Sequence, residues 1–92
     1  MTFVNMIAEY TINCVKKDSN GTITHVGVNQ EIIDIHTVAE RIRSRQAIYY
    51  INAMGIRVRV LAMKKADNGE PYLTTAANKN LPNNIKFLPK CG

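Results

Sequence analysis

Alternating apolar and polar positions mark the first third of the chain. EYTINCVKK at residues 9–17 alternates between two faces and is rich in β-branched residues, which is typical of a strand. DSNG follows, and its Gly21 tolerates the positive φ that closes a type I turn with a bulge. TITHVGV at residues 22–28 has the composition of a return strand. The pattern predicts a β-hairpin over residues 9–28.

A helical period follows this hairpin. Apolar residues recur at the spacing of one helix face: Ile35, Val38, Ala39 and Ile42. Thr37 and Glu40 match the capping box, in which the hydroxyl caps an amide of the first turn and the carboxylate reaches back. The pattern predicts a helix that is capped by Thr37 and ends near Gln46.

AIYYI at residues 47–51 fits two interpretations. It could continue the helix, with Gly55 as the C-cap. Its β-branched and aromatic residues, followed by the turn-like NAMG, favour a strand instead. We therefore predict a strand here.

The clearest strand of the chain is IRVRVLAMK at residues 56–64. Its apolar residues Ile56, Val58 and Val60 alternate strictly with Arg57 and Arg59. KADNGEP then forms a turn with Asn-Gly at its tip, and YLTT at residues 72–75 is the last predicted strand.

The predicted order of elements is β-β-α-β-β-β. It describes an α+β domain in which one helix packs on the apolar face of an antiparallel sheet of about five strands. NKNLPNN, which follows, has turn chemistry because Pro82 fixes φ. Ile85, Phe87 and Leu88 are too apolar for a free tail. We expect them to lie across the sheet or the hairpin as an ordered, irregular C-terminal segment.

Composition limits the class of protein. The chain has 92 residues, of which 46% are hydrophobic and 21% charged, as in a single globular domain rather than a disordered segment. No apolar run approaches the roughly 18 residues of a membrane span, so no membrane partner is expected. The first ten residues lack the basic region of a signal peptide. These features predict a cytosolic location.

The two cysteines, Cys14 and Cys91, lie far apart in the chain and outside any CxxC or Cys/His cluster. This spacing gives no support for a zinc site, and no other metal or cofactor is indicated. Two reduced thiols agree with a cytosolic location and are the favoured interpretation. A disulfide between the first strand and the tail is the alternative.

The net charge is +5, and it is unevenly distributed. Residues 1–45 contain five basic and five acidic residues, whereas residues 46–92 contain seven basic and two acidic ones. Such an imbalance is typical either of a surface that attracts a polyanion or of a solvated face that keeps a small protein soluble.

A nucleic-acid interface is one hypothesis for these charges. Arg57 and Arg59 share one face of a strand, two lysines follow at its end, and tyrosines could stack on unpaired bases. The candidate interface is Arg57, Arg59, Lys64, Lys65, Tyr49 and Tyr72, with Tyr50 as an alternative stacking residue. Otherwise the arginines only guard a solvent-facing strand and the tyrosines pack in the core.

Catalytic chemistry has little support. None of the common nucleotide-binding, hydrolase or metalloprotease motifs occurs. His25 and His36 lack a Cys, Asp or Glu at ligand spacing, and the carboxylates Glu31 and Asp34 are explained by charge compensation at the helix start. We therefore predict a non-enzymatic binding module with a protein-interaction or structural role, through strand addition to a partner or a second copy. Nucleic-acid binding is the alternative.

Two stretches resemble a family of small prokaryotic domains of unknown function, numbered three-eight-nine-two. YTINCVKKDSNGTITHVGV is similar to the family's opening strand, Val-basic-basic-Asp turn and Ile-rich return strand. YLTT followed by NNIKFLPKC is similar to its close, a Tyr-Leu-Arg-Thr strand, then Asn-Leu and a Leu-Pro pair. The resemblance spans Tyr10 to Cys91 and departs at Thr74, where a basic residue is usual. It supports the predicted fold and implies no particular activity.

Overall fold

The computed structural model describes residues 7–53, 55–75 and 85–92. It contains seven strands, one α-helix and one 3₁₀ helix. In chain order they are β1 (Ala8–Thr11), β2 (Cys14–Lys17), β3 (Ile23–Val28), β4 (Glu31–Asp34), α1 (Ile35–Arg43), β5 (Ala47–Ala53), β6 (Ile56–Lys64), β7 (Pro71–Thr75) and the 3₁₀ turn Ile85–Phe87. The α+β class is confirmed, but two more strands precede the helix than the sequence predicts.

The strands form two sheets rather than one. The larger sheet has four strands in the order β1-β5-β6-β7, and the smaller has three in the order β2-β3-β4. β1 pairs with β5 in parallel, which places Tyr10 beside Tyr49. The other strand pairs are antiparallel. The prediction of a single antiparallel sheet of about five strands is therefore wrong.

The predicted first strand is two strands that belong to different sheets. The amide of Ile12 donates to the carbonyl of Tyr50 at 2.7 Å, and the next amide, of Asn13, donates to the carbonyl of Gly27 at 2.9 Å. The chain thus leaves the larger sheet and enters the smaller one at this point. The hairpin predicted over residues 9–28 exists only as β2 and β3, with Gly21 at a φ of 81° in its turn.

β4 was missed by the sequence analysis. It follows a tight turn in which Asn29 and Gln30 have φ of 50° and 68°, the pattern of a type I′ hairpin. Three of its four residues are exposed, so its apolar residues do not alternate with polar ones in the way that identifies a half-buried strand.

The helix begins earlier than the capping box predicts. The carboxylate of Asp34 accepts a hydrogen bond from the amide of His36 at 2.7 Å and caps the helix, whereas Thr37 lies within its first turn. The helix ends at Arg43, and Arg45 takes a left-handed φ of 60°. Its predicted apolar face is confirmed, since Ile35, Val38 and Ala39 are buried and Ile42 is partly buried.

The strands that follow the helix agree with the sequence analysis. AIYYI lies in β5 and not in a longer helix. In β6, Val58 and Val60 are buried and the arginines are exposed, although Ile56, next to the turn, is 55% exposed. Gly69, in the predicted turn, has a φ of 70°.

The core lies where the helix and both sheets meet. The largest fully buried side chains come from β2, β3, the helix, β5, β6, the 3₁₀ turn and the link between the sheets: Ile12, Val15, Val26, Val38, Tyr49, Ile51, Val60 and Ile85. Within the described ranges, no helix is long and apolar enough to cross a membrane.

The C-terminal segment contacts β7 of the larger sheet through its 3₁₀ turn and the edge of the smaller sheet through residues 89–91. Ile85 is 1% exposed and Leu88 packs on the core, as predicted, but Phe87 is 62% exposed. Residues 89–91 form a parallel bridge to the edge of β2, in which the amide of Val15 donates to the carbonyl of Pro89 and the amide of Cys91 donates to the carbonyl of Val15. The predicted turn around Pro82 lies outside the described residues.

A disulfide joins Cys14 in β2 to Cys91. The prediction of two reduced thiols is therefore wrong, and the alternative, a link between the first strands and the tail, is confirmed. The bond lies over Gly27, the residue directly opposite Cys14 in β3. A Cβ on Gly27 would clash with the sulfur of Cys14 and lie 3.0 Å from that of Cys91. Glycine is needed here because the disulfide occupies the space of a side chain.

Candidate nucleic-acid interface

The larger sheet has two chemically different faces. Alternate residues of β5, β6 and β7 are buried against the helix, among them Ile51, Val60 and Leu73. The residues between them project from the opposite side, because successive side chains of a strand alternate. We call this side the outer face and define it by Tyr50, Arg57, Arg59, Leu61, Met63 and Tyr72.

Arg57 lies over an aromatic ring of the outer face. Its Cζ atom lies 3.5 Å from the centroid of the Tyr50 ring, close enough for a cation–π interaction. Its Nη2 atom donates to Oε1 of Glu9 in β1 at 2.9 Å. The ring and the carboxylate together orient the guanidinium of a side chain that is still 51% exposed.

Arg59 lies directly opposite Tyr50 in the pairing of β5 with β6. It is exposed, and no side chain in the described part of the protein forms an ion pair or hydrogen bond with it. Arg57 and Arg59 are two residues apart, so their Cα atoms are separated by about 6.7 Å along the strand. The outer face therefore carries one pre-oriented and one unengaged cation side by side.

A second aromatic residue, Tyr72, extends the outer face. It is partly buried on β7 and lies opposite Met63 of β6. The partners of Tyr50 and Tyr72 in β6 are four positions apart, so the two tyrosines are about 13 Å apart along the strand direction. Because β6 lies between β5 and β7, they are also two strand spacings, about 10 Å, apart across the sheet. The two rings lie at opposite ends of a row of basic and apolar side chains.

Three of the six residues predicted from the sequence are brought together on the outer face: Arg57, Arg59 and Tyr72. Tyr49 is fully buried on the opposite side of β5, where its hydroxyl accepts a hydrogen bond from Nη1 of Arg41 at 3.3 Å. It cannot stack on a base, whereas the alternative residue Tyr50 lies on the outer face, under Arg57. Lys64 is exposed at the end of β6, but it lies an odd number of residues from Arg57 and Arg59 and so is on the other side of the sheet. Lys65 lies in the following turn.

Sequence reasoning missed Leu61 and Met63 of the outer face and the contact that Glu9 makes with Arg57. Met63 could have been found by extending the alternation of Arg57 and Arg59 to the end of the strand. Glu9 could not, because its contact with Arg57 depends on the parallel pairing of β1 with β5.

A separate polar cluster lies where the helix starts. Nδ1 of His36 lies 3.0 Å from Oδ1 of Asp34, and Nε2 of the same ring lies 3.2 Å from Oε2 of Glu70. The hydrogen bond to Glu70, and then that to Asp34, raises the pKa of His36. The hydrogen bond from the amide of His36 lowers the pKa of Asp34. No group of three or more side chains in the described ranges is arranged to hold a metal ion.

Comparison with known proteins adds a family but no relative of established activity. Neither the curated proteins nor the solved structures contain a match to this chain. One family model matches residues 11–89, from the last residue of β1 to the segment beside β2. The chain therefore belongs to the family described as protein of unknown function (DUF3892), in agreement with the resemblance seen in its sequence.

Proposed function

We propose that this protein is a small binding module rather than an enzyme, and that its outer face binds single-stranded nucleic acid. The observation that carries the proposal is the guanidinium of Arg57, stacked 3.5 Å above the ring of Tyr50 with Arg59 opposite that ring. Cations attract phosphates, and an unpaired base can stack on the guanidinium of Arg57 or on the ring of Tyr72.

The shape of the surface favours a single strand over a duplex. A duplex is usually recognised by a helix or a two-stranded ribbon that enters a groove. Here the apolar side of α1 is packed into the core, while the candidate residues lie on a sheet. An open sheet face with aromatic side chains suits unstacked bases, which can lie flat on it. The net charge of +5 adds a general attraction for polyanions.

Fluorescence anisotropy with labelled single-stranded and duplex oligonucleotides tests the proposal. We expect the protein to prefer the single strand and to bind it more weakly as salt rises from about 50 to about 200 mM. Replacement of Arg57 and Arg59 by Gln should reduce the slope of log K against log salt by about 1.4, since each lost phosphate contact contributes about 0.7.

A matched control is the double variant Arg43→Gln with Arg45→Gln, which removes the same charge from the end of the helix. It should change affinity much less than the outer-face pair. If both pairs weaken binding equally, general charge attraction explains it and the outer face is not the site. Absence of binding at about 50 mM salt would also refute the proposal.

Tyr72 separates stacking from charge. Tyr72→Phe should bind like the wild type, whereas Tyr72→Leu should lose about 5- to 150-fold in affinity, the range measured for loss of one stacked base. Equal binding by the two variants would show that Tyr72 does not stack on a base.

A second candidate function, association through a strand edge, has one observation in its favour. β4 is the outermost described strand of the smaller sheet, and its Ile32 is 46% exposed. Such an edge can pair with a strand of a partner or of a second copy. Light scattering should then show a dimer that persists at high salt and that Ile32→Lys converts to monomer. A wild-type monomer at high protein concentration would argue against homodimerisation.

The cytosolic location stays a prediction. Disulfides are rare in the cytosol and common in oxidising compartments, so the bond between Cys14 and Cys91 gives it no support. Rapid alkylation of thiols in intact cells, followed by mass spectrometry, tests the location, because the disulfide protects both cysteines from alkylation in an oxidising compartment.

A further inference from the structure

A cleft of about 380 Å³ opens between the two sheets, on the side of the molecule away from the outer face. The β3–β4 turn, the end of α1 and the first half of β5 form its walls. Its volume lies within the range of about 300–1,000 Å³ that is usual for small-molecule sites.

Two stacked tyrosines line the cleft. The rings of Tyr10 and Tyr49 are 5.3 Å apart with an interplanar angle of 28°. The hydroxyl of Tyr49 accepts a hydrogen bond from Arg41 Nη1 at 3.3 Å. A guanidinium has five N–H donors, so this bond orients Arg41 and leaves most of its donors available to a ligand.

Opposite charges face this cleft without forming an ion pair. Glu31 and Arg41 both line it, yet the ion pairs of the described residues include neither of them. No described donor hydrogen-bonds to the carboxylate of Glu31 either. A cation and an anion thus lie in one cleft, more than an ion-pair distance apart, and both are available to a ligand.

The rims of the cleft contain backbone conformations that are uncommon for residues with side chains. On one rim, Asn29 and Gln30 have φ of 50° and 68°, and next to the other, Arg45 has φ of 60°. Left-handed non-glycine residues cost free energy and are frequent at ligand sites. Asn29 and Gln46 both line the cleft, and each has an amide side chain that can donate and accept hydrogen bonds.

We propose that this cleft binds a small zwitterion of the α-amino-acid type. The carboxylate of the ligand contacts Arg41, whose planar guanidinium matches a carboxylate, and the ammonium contacts Glu31. The apolar part of the ligand lies against Ile33 and the ring of Tyr10, which is packed from behind by the buried ring of Tyr49. A simple anion would be repelled by Glu31 and a simple amine by Arg41, so the pair of charges favours a ligand that carries both.

Titration of the isotope-labelled 92-residue chain with each of the twenty protein amino acids, followed by NMR, tests this proposal. At least one amino acid should bind saturably below about 10 mM and shift the resonances of Asn29, Gln46 and Ala47. The matching acid without the amino group and the matching amine without the carboxylate should each bind at least about tenfold more weakly.

Two substitutions, each with a control, test whether Arg41 binds the ligand's carboxylate and Glu31 its ammonium group. Arg41→Gln should weaken binding by about tenfold or more, and Glu31→Gln should abolish the preference for the amino acid over the acid that lacks the amino group. The controls, Arg43→Gln and Glu40→Gln, remove an ion pair of 3.1 Å on the exposed side of the helix and should leave affinity unchanged. Should Arg41→Gln fail to fold, Arg41→Lys keeps the charge, loses the planar donor pair and should still weaken binding.

Three results would overturn the proposal: no saturable binding by any of the twenty amino acids, binding indifferent to the Arg41 variants, or equal binding of the acid without the amino group. The test is independent of the nucleic-acid proposal. The variant with Gln at positions 57 and 59 should bind the amino acid like the wild type, because neither position lines the cleft.

Discussion

The two sheets of this protein are stabilised in different ways. The larger sheet has strands of up to nine residues, and its regularly alternating side chains are buried under the helix. The smaller sheet has strands of four to six residues and contributes fewer large side chains to the core. Its edge strand β2 is instead joined to the C-terminal segment by a backbone bridge and a disulfide.

This contrast shows which part of the fold depends on distant residues. Burial of apolar area under the helix stabilises the larger sheet, which also has one long-range pairing, that of β1 with β5. The smaller sheet depends on a contact between residues separated by 77 positions. Closing so long a loop is costly in entropy, and a covalent bond removes that cost from folding by restricting the unfolded chain.

Removal of the C-terminal segment should have the largest effect. Truncation after Thr75 deletes Ile85, which is 1% exposed, and the partner of Cys14. The lost burial contributes about 2 kcal/mol and the lost cross-link about 4 kcal/mol, a large part of the stability of a small domain. We expect the truncated protein to be largely unfolded by circular dichroism. An unchanged thermal midpoint would show that the segment does not stabilise the fold.

Loss of the disulfide alone should have the second largest effect. Replacing Cys14 and Cys91 by Ala should lower the free energy of unfolding by roughly 4 kcal/mol, as expected for a loop of 77 residues. Urea unfolding with and without a reductant measures this. The reductant should destabilise the wild type and leave the double variant unaffected. Amide exchange should accelerate more in β2 than in β6; equal acceleration would mean that the two sheets depend equally on the bond.

Gly27→Ala should destabilise the protein by about 1–3 kcal/mol, the usual cost of overpacking. The added methyl group would clash with the sulfur of Cys14. In the background that has Ala at positions 14 and 91, the same substitution should cost clearly less, and a double-mutant cycle from urea unfolding measures the difference. An equal cost in both backgrounds would mean that the backbone, not the disulfide, requires glycine here.

The smallest expected effect is the pH dependence of stability that arises from the contact between the helix start and the β6–β7 turn. The raised pKa of His36 adds stability that is complete below pH 6.5 and is lost as the pH rises through the raised value. The lowered pKa of Asp34 adds stability that is complete above pH 3.8 and is lost as the pH falls through the lowered value. This cluster therefore stabilises most between these two limits.

NMR titration of the His36 ring tests the cause. Glu70→Gln should lower the pKa of His36 towards its ordinary value, because the Glu70 carboxylate is the largest source of the shift. Glu40→Gln, which lies on the same helix outside the cluster, is the control. An unchanged pKa in the Glu70 variant would show that the contact does not persist in solution.

Local patterns predicted much of the larger sheet and of its outer face. The alternation of IRVRV placed Arg57 and Arg59 on one exposed face, and the aromatic composition of AIYYI correctly favoured a strand. The helix face was also correct, but its cap was not. Thr37 and Asp34 are both good caps by residue type, and the choice depends on where the preceding strand ends.

The alternating residues of each long strand and of the helix were evident from the chain itself, because one side of each element must be buried and that requirement repeats at a fixed local period. Tertiary structure determined the rest: the break between β1 and β2, the parallel contact of Glu9 with Arg57, the cleft between the sheets and the partner of Cys14. Each depends on contacts between residues far apart in sequence, and such contacts produce no periodic pattern of apolar and polar residues in the chain.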